Sequence, residues 1–233
     1  MDAVMKAPEL TSPKIQITCR AVLFDMDGVL LDSVPSVERQ WTIWALRHSL
    51  DPKKVLAVAH GVRTIETVRK LMPHLDAVKE AKSIELGEIQ DTGGLRALPG
   101  AQEMLQILPP KQWNIVTSAT RALAVARLGF VNLLVPDLIV TADDVKNGKP
   151  HPEPYLAGAA RLGCDPGDCL VVEDAPAGIR AAKSAGMQAL ALTTTHAVPD
   201  LTAAMPDAMV RSLADVAVRV LNDGQLLIEG IGQ

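Results

Sequence analysis

Short runs that are apolar at nearly every position alternate along the chain with longer stretches whose apolar residues recur every three or four positions. The short runs lie at residues 21–25, 113–117, 138–141, 169–173 and 188–192, with a weaker one at 209–211. A strand wetted on one face alternates apolar and polar residues. An unbroken apolar run marks a strand covered on both faces, as in a parallel sheet. Between these runs, residues 101–108, 121–128, 153–162 and 175–185 carry the helical period and suit crossover helices. The alternation predicts an α/β fold, a doubly wound parallel sheet of Rossmann-like type.

One interval breaks that rhythm. Residues 33–96 hold no strand pattern, only helical patterning at 37–48, 52–60, 64–71 and 76–90, punctuated by Pro35, Gly61, Pro73 and the Gly93–Gly94 pair. This predicts a small α-helical cap domain inserted between the first and second strands. The catalytic α/β core would be 1–32 and 97–233, the cap 33–96, with hinges near Asp32–Ser33 and at 93–99. Trp41 and Trp44 stand three residues apart and are assigned to the core of the cap. The tail has a turn at 222–224 followed by an apolar run, read as a last edge strand.

Composition narrows the function. The 233 residues are 48% apolar and 21% charged, ordinary for a globular protein, and the formal charge of -4 offers no basic surface for nucleic acid or anionic membrane. Cys19, Cys164 and Cys169 have neither CxxC spacing nor an even count, which fits a reducing compartment better than a disulfide framework. No apolar run approaches a membrane span, and the first twenty residues lack a signal-peptide core. The expectation is a soluble cytoplasmic protein, a monomer or at most a weak dimer, without nucleic-acid or membrane partners.

In open α/β sheets ligands bind beyond the carboxyl ends of the strands. Four strand ends here carry reactive groups: Asp25 with Asp27, Thr117-Ser118, the Lys149 that follows the third run, and Glu173-Asp174. Taken singly, Asp25 could be a turn residue, Ser118 an N-cap and Lys149 a solvated side chain. Together they suit phosphoryl transfer. Several carboxylates at one rim call for a divalent cation, and hard oxygen ligands favour Mg²⁺, which also bridges phosphate oxygens. A hydroxyl, a lysine and backbone N–H groups neutralise a phosphoryl group in flight. A carboxylate nucleophile divides hydrolysis into two easier steps, and a second acid two residues on faces the same side of an extended chain.

At these residues the sequence resembles the haloacid dehalogenase superfamily, in its phosphatase and phosphomutase branch with a helical cap. The resemblance rests on Asp25-Met-Asp-Gly-Val-Leu-Leu-Asp-Ser33, Thr117-Ser-Ala-Thr120, Gly148-Lys-Pro150 and Val171-Val-Glu-Asp-Ala-Pro-Ala-Gly178, in the family's order and nearly spanning the chain. It implies Asp25 as nucleophile and metal ligand, and Asp27 as general acid/base whose backbone carbonyl also faces Mg²⁺. Ser118 and Ala119 would bind the phosphoryl group, and Lys149 would neutralise nucleophile and phosphate. Asp174 would ligate Mg²⁺ directly and Glu173 through a water. In the insertion, Ala57-Val-Ala-His-Gly-Val-Arg-Thr-Ile-Glu66 and Asp91-Thr-Gly-Gly-Leu-Arg-Ala-Leu-Pro-Gly100 are similar to sugar and glycerol phosphate phosphatases. His60 and Arg63 are the substrate contacts this implies. The departure from the pattern is His151, where these phosphatases often carry Asp.

The implied activity is hydrolysis of a small phosphorylated metabolite, a sugar or polyol phosphate monoester. A β-phosphoglucomutase-like phosphomutase shares every core motif but usually carries His at the place of Val37; a phosphoglycolate phosphatase is a further alternative. Asp27 disfavours a dehalogenase, which lacks that acid, and also a non-catalytic phosphate binder. A receiver-type domain needs neither the insertion nor the Glu173-Asp174 pair.

Overall fold

The computed structural model describes residues 15–59 and 61–231. In chain order the elements are β1 (Gln16–Cys19), β2 (Ala21–Phe24), β3 (Leu31–Asp32), α1 (Val34–Arg47), α2 (Pro52–Ala59), α3 (Thr64–Leu71), α4 (Ala77–Gln90), β4 (Arg96–Ala97), α5 (Ala101–Ile107), β5 (Trp113–Ile115), α6 (Arg121–Phe130), α7 (Glu153–Leu162), β6 (Cys169–Glu173), α8 (Pro176–Ser184), β7 (Gln188–Leu192), α9 (Val198–Thr202), β8 (Ala208–Val210), β9 (Val216–Val220) and β10 (Leu226–Gly230).

Every residue of β2 and β6 is buried, as unbroken apolar strands require when helices cover both faces. These two strands lie side by side within a five-stranded parallel sheet ordered β5-β2-β6-β7-β8. Alternate residues serve opposite faces. Val22, Phe24, Leu170 and Val172 pack with Met104 and Leu105 of α5 and Leu123 of α6. Leu23 and Val171 pack with Tyr155 and Ala159 of α7 and Ile179 of α8. The strand expected at 138–141 narrows to one parallel bridge, Val116 to Val140. The reason is local: Thr141 caps a 3-10 turn over Ala142–Asp144, which draws the chain away from the sheet edge after one pair.

The tail strand is β10, and it is not an edge. It lies between β1 and β9 in a second, antiparallel sheet of three strands. Ile17, Cys19, Val216, Leu226 and Ile228 turn from that sheet into the main core.

Helices α1 to α4 leave and rejoin the core through the short β3–β4 ribbon, where Leu31 faces Ala97 and Asp32 faces Arg96. Arg96 Nη2 donates to Asp32 Oδ2 at 2.7 Å across it. The four helices close on a cluster of their own that includes Trp41, Trp44, Val55, Val68 and Ile84. The two indoles meet edge to face, 5.4 Å between centroids, and Trp44 Nε1 donates to Glu80 Oε2 at 2.8 Å. Both tryptophans are thus core residues of the insertion, and Trp41 also touches the cavity described next. Among the described residues no helix is long and apolar enough to cross a membrane.

Candidate active site

Strand β2 delivers Asp25 by extending the ladder one step beyond its last residue: the Asp25 N–H donates to Val172 O at 3.0 Å. Its side chain therefore emerges at the carboxyl end of the sheet beside the end of β6. The chain then turns sharply at Gly28, with φ of +77°, where a Cβ would lie 2.1 Å from Asp174 Oδ2. Both the left-handed backbone and the closeness of that carboxylate demand glycine.

Lys149, 2% exposed, binds the cluster together. Its Nζ donates to Asp25 Oδ1 at 2.7 Å, Glu173 Oε1 at 2.8 Å and Val116 O at 3.0 Å. An ammonium has three donors, so all are used. The charge also sits 4.8 Å from the centroid of the Tyr155 ring, whose hydroxyl donates to Glu173 Oε1 at 2.8 Å. Glu173 Oε2 accepts from the backbone N–H groups of Asp174 and Ala175, each at 3.0 Å. Both Glu173 oxygens are therefore engaged. Thr195 donates its hydroxyl to Asp174 Oδ2. Among the described residues, Asp25 Oδ2 and Asp174 Oδ1 accept no hydrogen bond from the chain.

Burial dominates the electrostatics. It raises Asp25 above the usual carboxylate range; Lys149 opposes this and the neighbouring Glu173 adds to it. Asp174 is also raised well above that range, by burial and then by the charges of Glu173 and Asp25. Burial would lower Lys149, but Asp25 and Glu173 outweigh that and hold it above an ordinary lysine. One ammonium thus faces three buried acids. One oxygen from each of Asp25, Glu173 and Asp174 lies within 4.8 Å of the others. A dry cluster of hard oxygen donors with surplus negative charge fits a metal ion.

The cavity over Asp25 has a volume of about 70 Å³. Thr117, Ser118 and Asp174 line it from the core and Val37, Trp41 and Val62 from the inserted helices. Small-molecule sites usually run to several hundred Å³, and this cavity is smaller than that. Ser118 Oγ donates to Gly61 O at 3.2 Å, tying core to insertion. Ala119 lines the cavity, but its N–H is engaged by Thr117 Oγ1 at 3.1 Å.

Asp27, Asp25, Asp174, Ser118 and Ala119 share this cavity; Lys149 and Glu173 lie just beneath it. Arg63 stands apart. Its Nη1 donates to Lys146 O at 2.8 Å and pairs with Glu66 at 3.2 Å, and Glu66 in turn accepts from the Gly148 N–H at 3.2 Å. The stem packs so closely on Gly148 that a Cβ there would meet Arg63 Cδ at 2.5 Å. Arg63 thus turns toward the loop that carries Lys149, because two carbonyl and carboxylate acceptors lie on that side. His60 lies outside the described residues. His151 is half-exposed, and its Nδ1 accepts from the Glu153 N–H at 3.1 Å.

Sequence reasoning missed four residues. Tyr155 and Thr195 brace Glu173 and Asp174 as described. Arg127 on α6 donates Nη1 to Asp27 Oδ1 at 2.8 Å and Nη2 to Glu88 Oε2 on α4 at 2.9 Å. Each of this pair occupies a place on an apolar stripe, Glu88 after Ala77, Ala81 and Ile84, and Arg127 among Leu123, Ala124 and Leu128. A charge in phase with an apolar stripe was the available signal.

Glu88 is pushed up from 4.5 to about 7, first by burial, with Arg127 opposing and Asp27 adding. Asp25 moves the same way, from 3.8 to about 7. The folded protein therefore holds more protons than the unfolded chain across this window. The stability these groups contribute is complete below pH about 4 and declines as pH rises toward 7. Metal-free protein should melt at progressively lower temperature from pH 5 to pH 8 in chelator, and a saturating divalent cation should flatten that slope. A melting temperature that climbs over this range would refute the assignment.

A family model described as a hydrolase, haloacid dehalogenase-like hydrolase, matches residues 19–186. Hexitol phosphatase A of Escherichia coli (strain K12) is 40% identical over 216 residues, covering 91% of this chain and 99% of that protein. Glycerol-1-phosphate phosphohydrolase 1 of Saccharomyces cerevisiae is 34% identical over 226 residues, covering 91% of this chain and 90% of that protein. The crystal structure of a hydrolase from Pseudomonas syringae, 27% identical, matches with a TM-score of 0.76 over 84% of this chain and 94% of that one.

Proposed function

Since the chain belongs to the haloacid dehalogenase-like hydrolase family, we propose that it hydrolyses small sugar or polyol phosphate monoesters in the cytoplasm through a phospho-aspartate on Asp25. It is a phosphoric monoester hydrolase. In this reading residues 33–96 act as a cap over a catalytic core of 1–32 and 97–233. The observation that carries the mechanism is the asymmetry of Asp25: Lys149 holds Oδ1, while Oδ2 accepts nothing from the described residues.

Asp25 Oδ2 attacks phosphorus and the bond to the ester oxygen breaks. Asp27, two residues on, gives its proton to the departing alkoxide. Arg127 holds Asp27 Oδ1, which leaves Oδ2 for that transfer. Asp27 then takes a proton from water, which attacks the acyl phosphate and releases inorganic phosphate. The Ser118 hydroxyl leaves Gly61 O to bind a phosphoryl oxygen, and Lys149 opposes the burial that disfavours charge on the nucleophile. Asp25, Asp174 and the Asp27 carbonyl would hold Mg²⁺, with Glu173, its oxygens engaged within the protein, adding negative charge beside it. When bound, Mg²⁺ supplies charge neutralisation of the phosphate oxygens.

The polyol preference draws on the relatives, a hexitol phosphatase and a glycerol-1-phosphate phosphohydrolase. Release of phosphate from hexitol and glycerol phosphates with Mg²⁺ tests it, and the best of them should reach kcat/KM of about 10⁴ M⁻¹ s⁻¹. Val37 lines the cavity and can neither give nor take a hydrogen bond, which disfavours the mutase alternative. With β-glucose 1-phosphate and a trace of glucose 1,6-bisphosphate, free phosphate should outpace glucose 6-phosphate. The reverse order would make the protein a mutase.

A further inference from the structure

The hydrolytic steps leave one side chain in the cavity without a task and a second only partly used. Glu88 is 5% exposed and Arg127 4%, and both line the cavity over Asp25. Glu88 gives Oε2 to Arg127, while its Oε1 accepts no hydrogen bond from the described residues. Arg127 spends one N–H on Asp27 and one on Glu88, out of five. Around them, Val34, Val37, Trp41, Ala59 and Val62 supply apolar wall from the insertion, with Ser33 and Thr64 the hydroxyl-bearing exceptions. An ion pair kept only to join two helices gains little over apolar residues of the same volume. A pair with an unfilled acceptor and spare donors facing a cavity is suited to a polar ligand.

Its position says which part of the ligand. To be protonated, the leaving oxygen must come within hydrogen-bond reach of Asp27. Asp27 in turn lies 2.8 Å from Arg127. The first carbons of the departing alcohol, and any hydroxyls on them, therefore lie within reach of Arg127 and Glu88. We propose that Glu88 and Arg127 form the subsite that binds the hydroxyl groups of the leaving alcohol. Glu88 Oε1 accepts one O–H, and the spare N–H groups of Arg127 donate to a neighbouring hydroxyl oxygen. This selects polyol and sugar phosphates over alkyl phosphates, because an alkyl chain would leave Glu88 Oε1 and the spare Arg127 N–H groups without partners in a site closed to water. The proposal rests on the polyol phosphatase reading and deepens it.

The test compares kcat/KM for glycerol 1-phosphate with that for 1-propyl phosphate on the same preparation. Their ratio does not depend on the fraction of folded enzyme. Wild type should favour the glycerol ester by about 100-fold or more. Glu88→Met, which cannot accept the hydrogen bond, should cut that ratio at least about tenfold, and Glu88→Gln, which keeps shape and one acceptor, should fall between. A wild-type preference that survives both substitutions would reduce the pair to a strut between α4 and α6 and overturn the subsite. Equal rates on both esters in wild type would overturn it as well. No turnover of either ester would instead overturn the phosphatase reading beneath it.

Discussion

Asp25→Asn is expected to lower kcat by about 10⁴-fold or more while leaving the protein folded. An amide is a poor nucleophile and a poorer ligand for a hard cation, so both roles proposed for Asp25 fail together. The fold should survive because Asn fills the same space and its Oδ1 can still accept from Lys149, now 2.7 Å away. Burial already disfavours the charge on Asp25, so removing it relieves repulsion among three acids. Thermal melting in chelator should therefore show no loss of stability, and added Mg²⁺ should raise the melting temperature less than in wild type. Beryllium fluoride should inhibit the wild type by occupying the place of the phosphoryl group on Asp25. Retention of even a tenth of wild-type kcat by the Asn variant would exclude a covalent phospho-aspartate.

Lys149→Met is expected to damage both stability and turnover. The ammonium is the shared partner of Asp25, Glu173 and the Val116 carbonyl, and methionine replaces its bulk but none of its donors. Stripping the cation from a buried ion pair costs about 3–5 kcal/mol at neutral pH. The loss should shrink at pH 5, where the acids left behind take up protons, and should also shrink with a saturating divalent cation. Melting curves of wild type and variant at pH 5 and pH 8 give the comparison. A deficit that does not change with pH would mean that Lys149 stabilises through packing rather than charge. Turnover should fall by at least about 10³-fold, since nucleophile and phosphate lose the same neutralising charge.

The sheet was legible wherever burial on two faces wrote an unbroken apolar run. Cys169–Glu173 and Gln188–Leu192 match the sequence reading residue for residue, and Ala21–Phe24 falls one residue short of it. The same logic misled at 138–141, because Ile139 and Val140 are apolar for burial alone while Thr141 turns the chain into a cap. Strand β9 was illegible for the opposite reason. Of its five residues only Val216 is buried, so its pattern carries little of the signal that a packed strand leaves. At the site, Asp25, Ser118 and Asp174 were legible only as a set, through their shared place at strand ends, and the fold brings them to one cavity. Arg127, Glu88 and Tyr155 were not, because each sits on a helix and reaches its partner across 18 to 100 residues of chain. No local spacing records such a meeting. The arginine and glutamate nevertheless each broke an apolar stripe, and their opposite signs were a clue that the helices bearing them face one another.

The β3–β4 ribbon also bears on how the chain could be rebuilt. Everything from residue 33 to 95 departs and returns through one facing pair, Asp32 and Arg96. Facing Cα atoms in an antiparallel ladder stand about 5 Å apart, a gap that one or two residues can bridge. The chain thus enters and leaves the four helices at a single place in the core. Excising them leaves the strand order β5-β2-β6-β7-β8 and its crossovers uncut. Any guest segment whose own ends lie about 5 Å apart could be spliced into the same slot without rethreading the sheet.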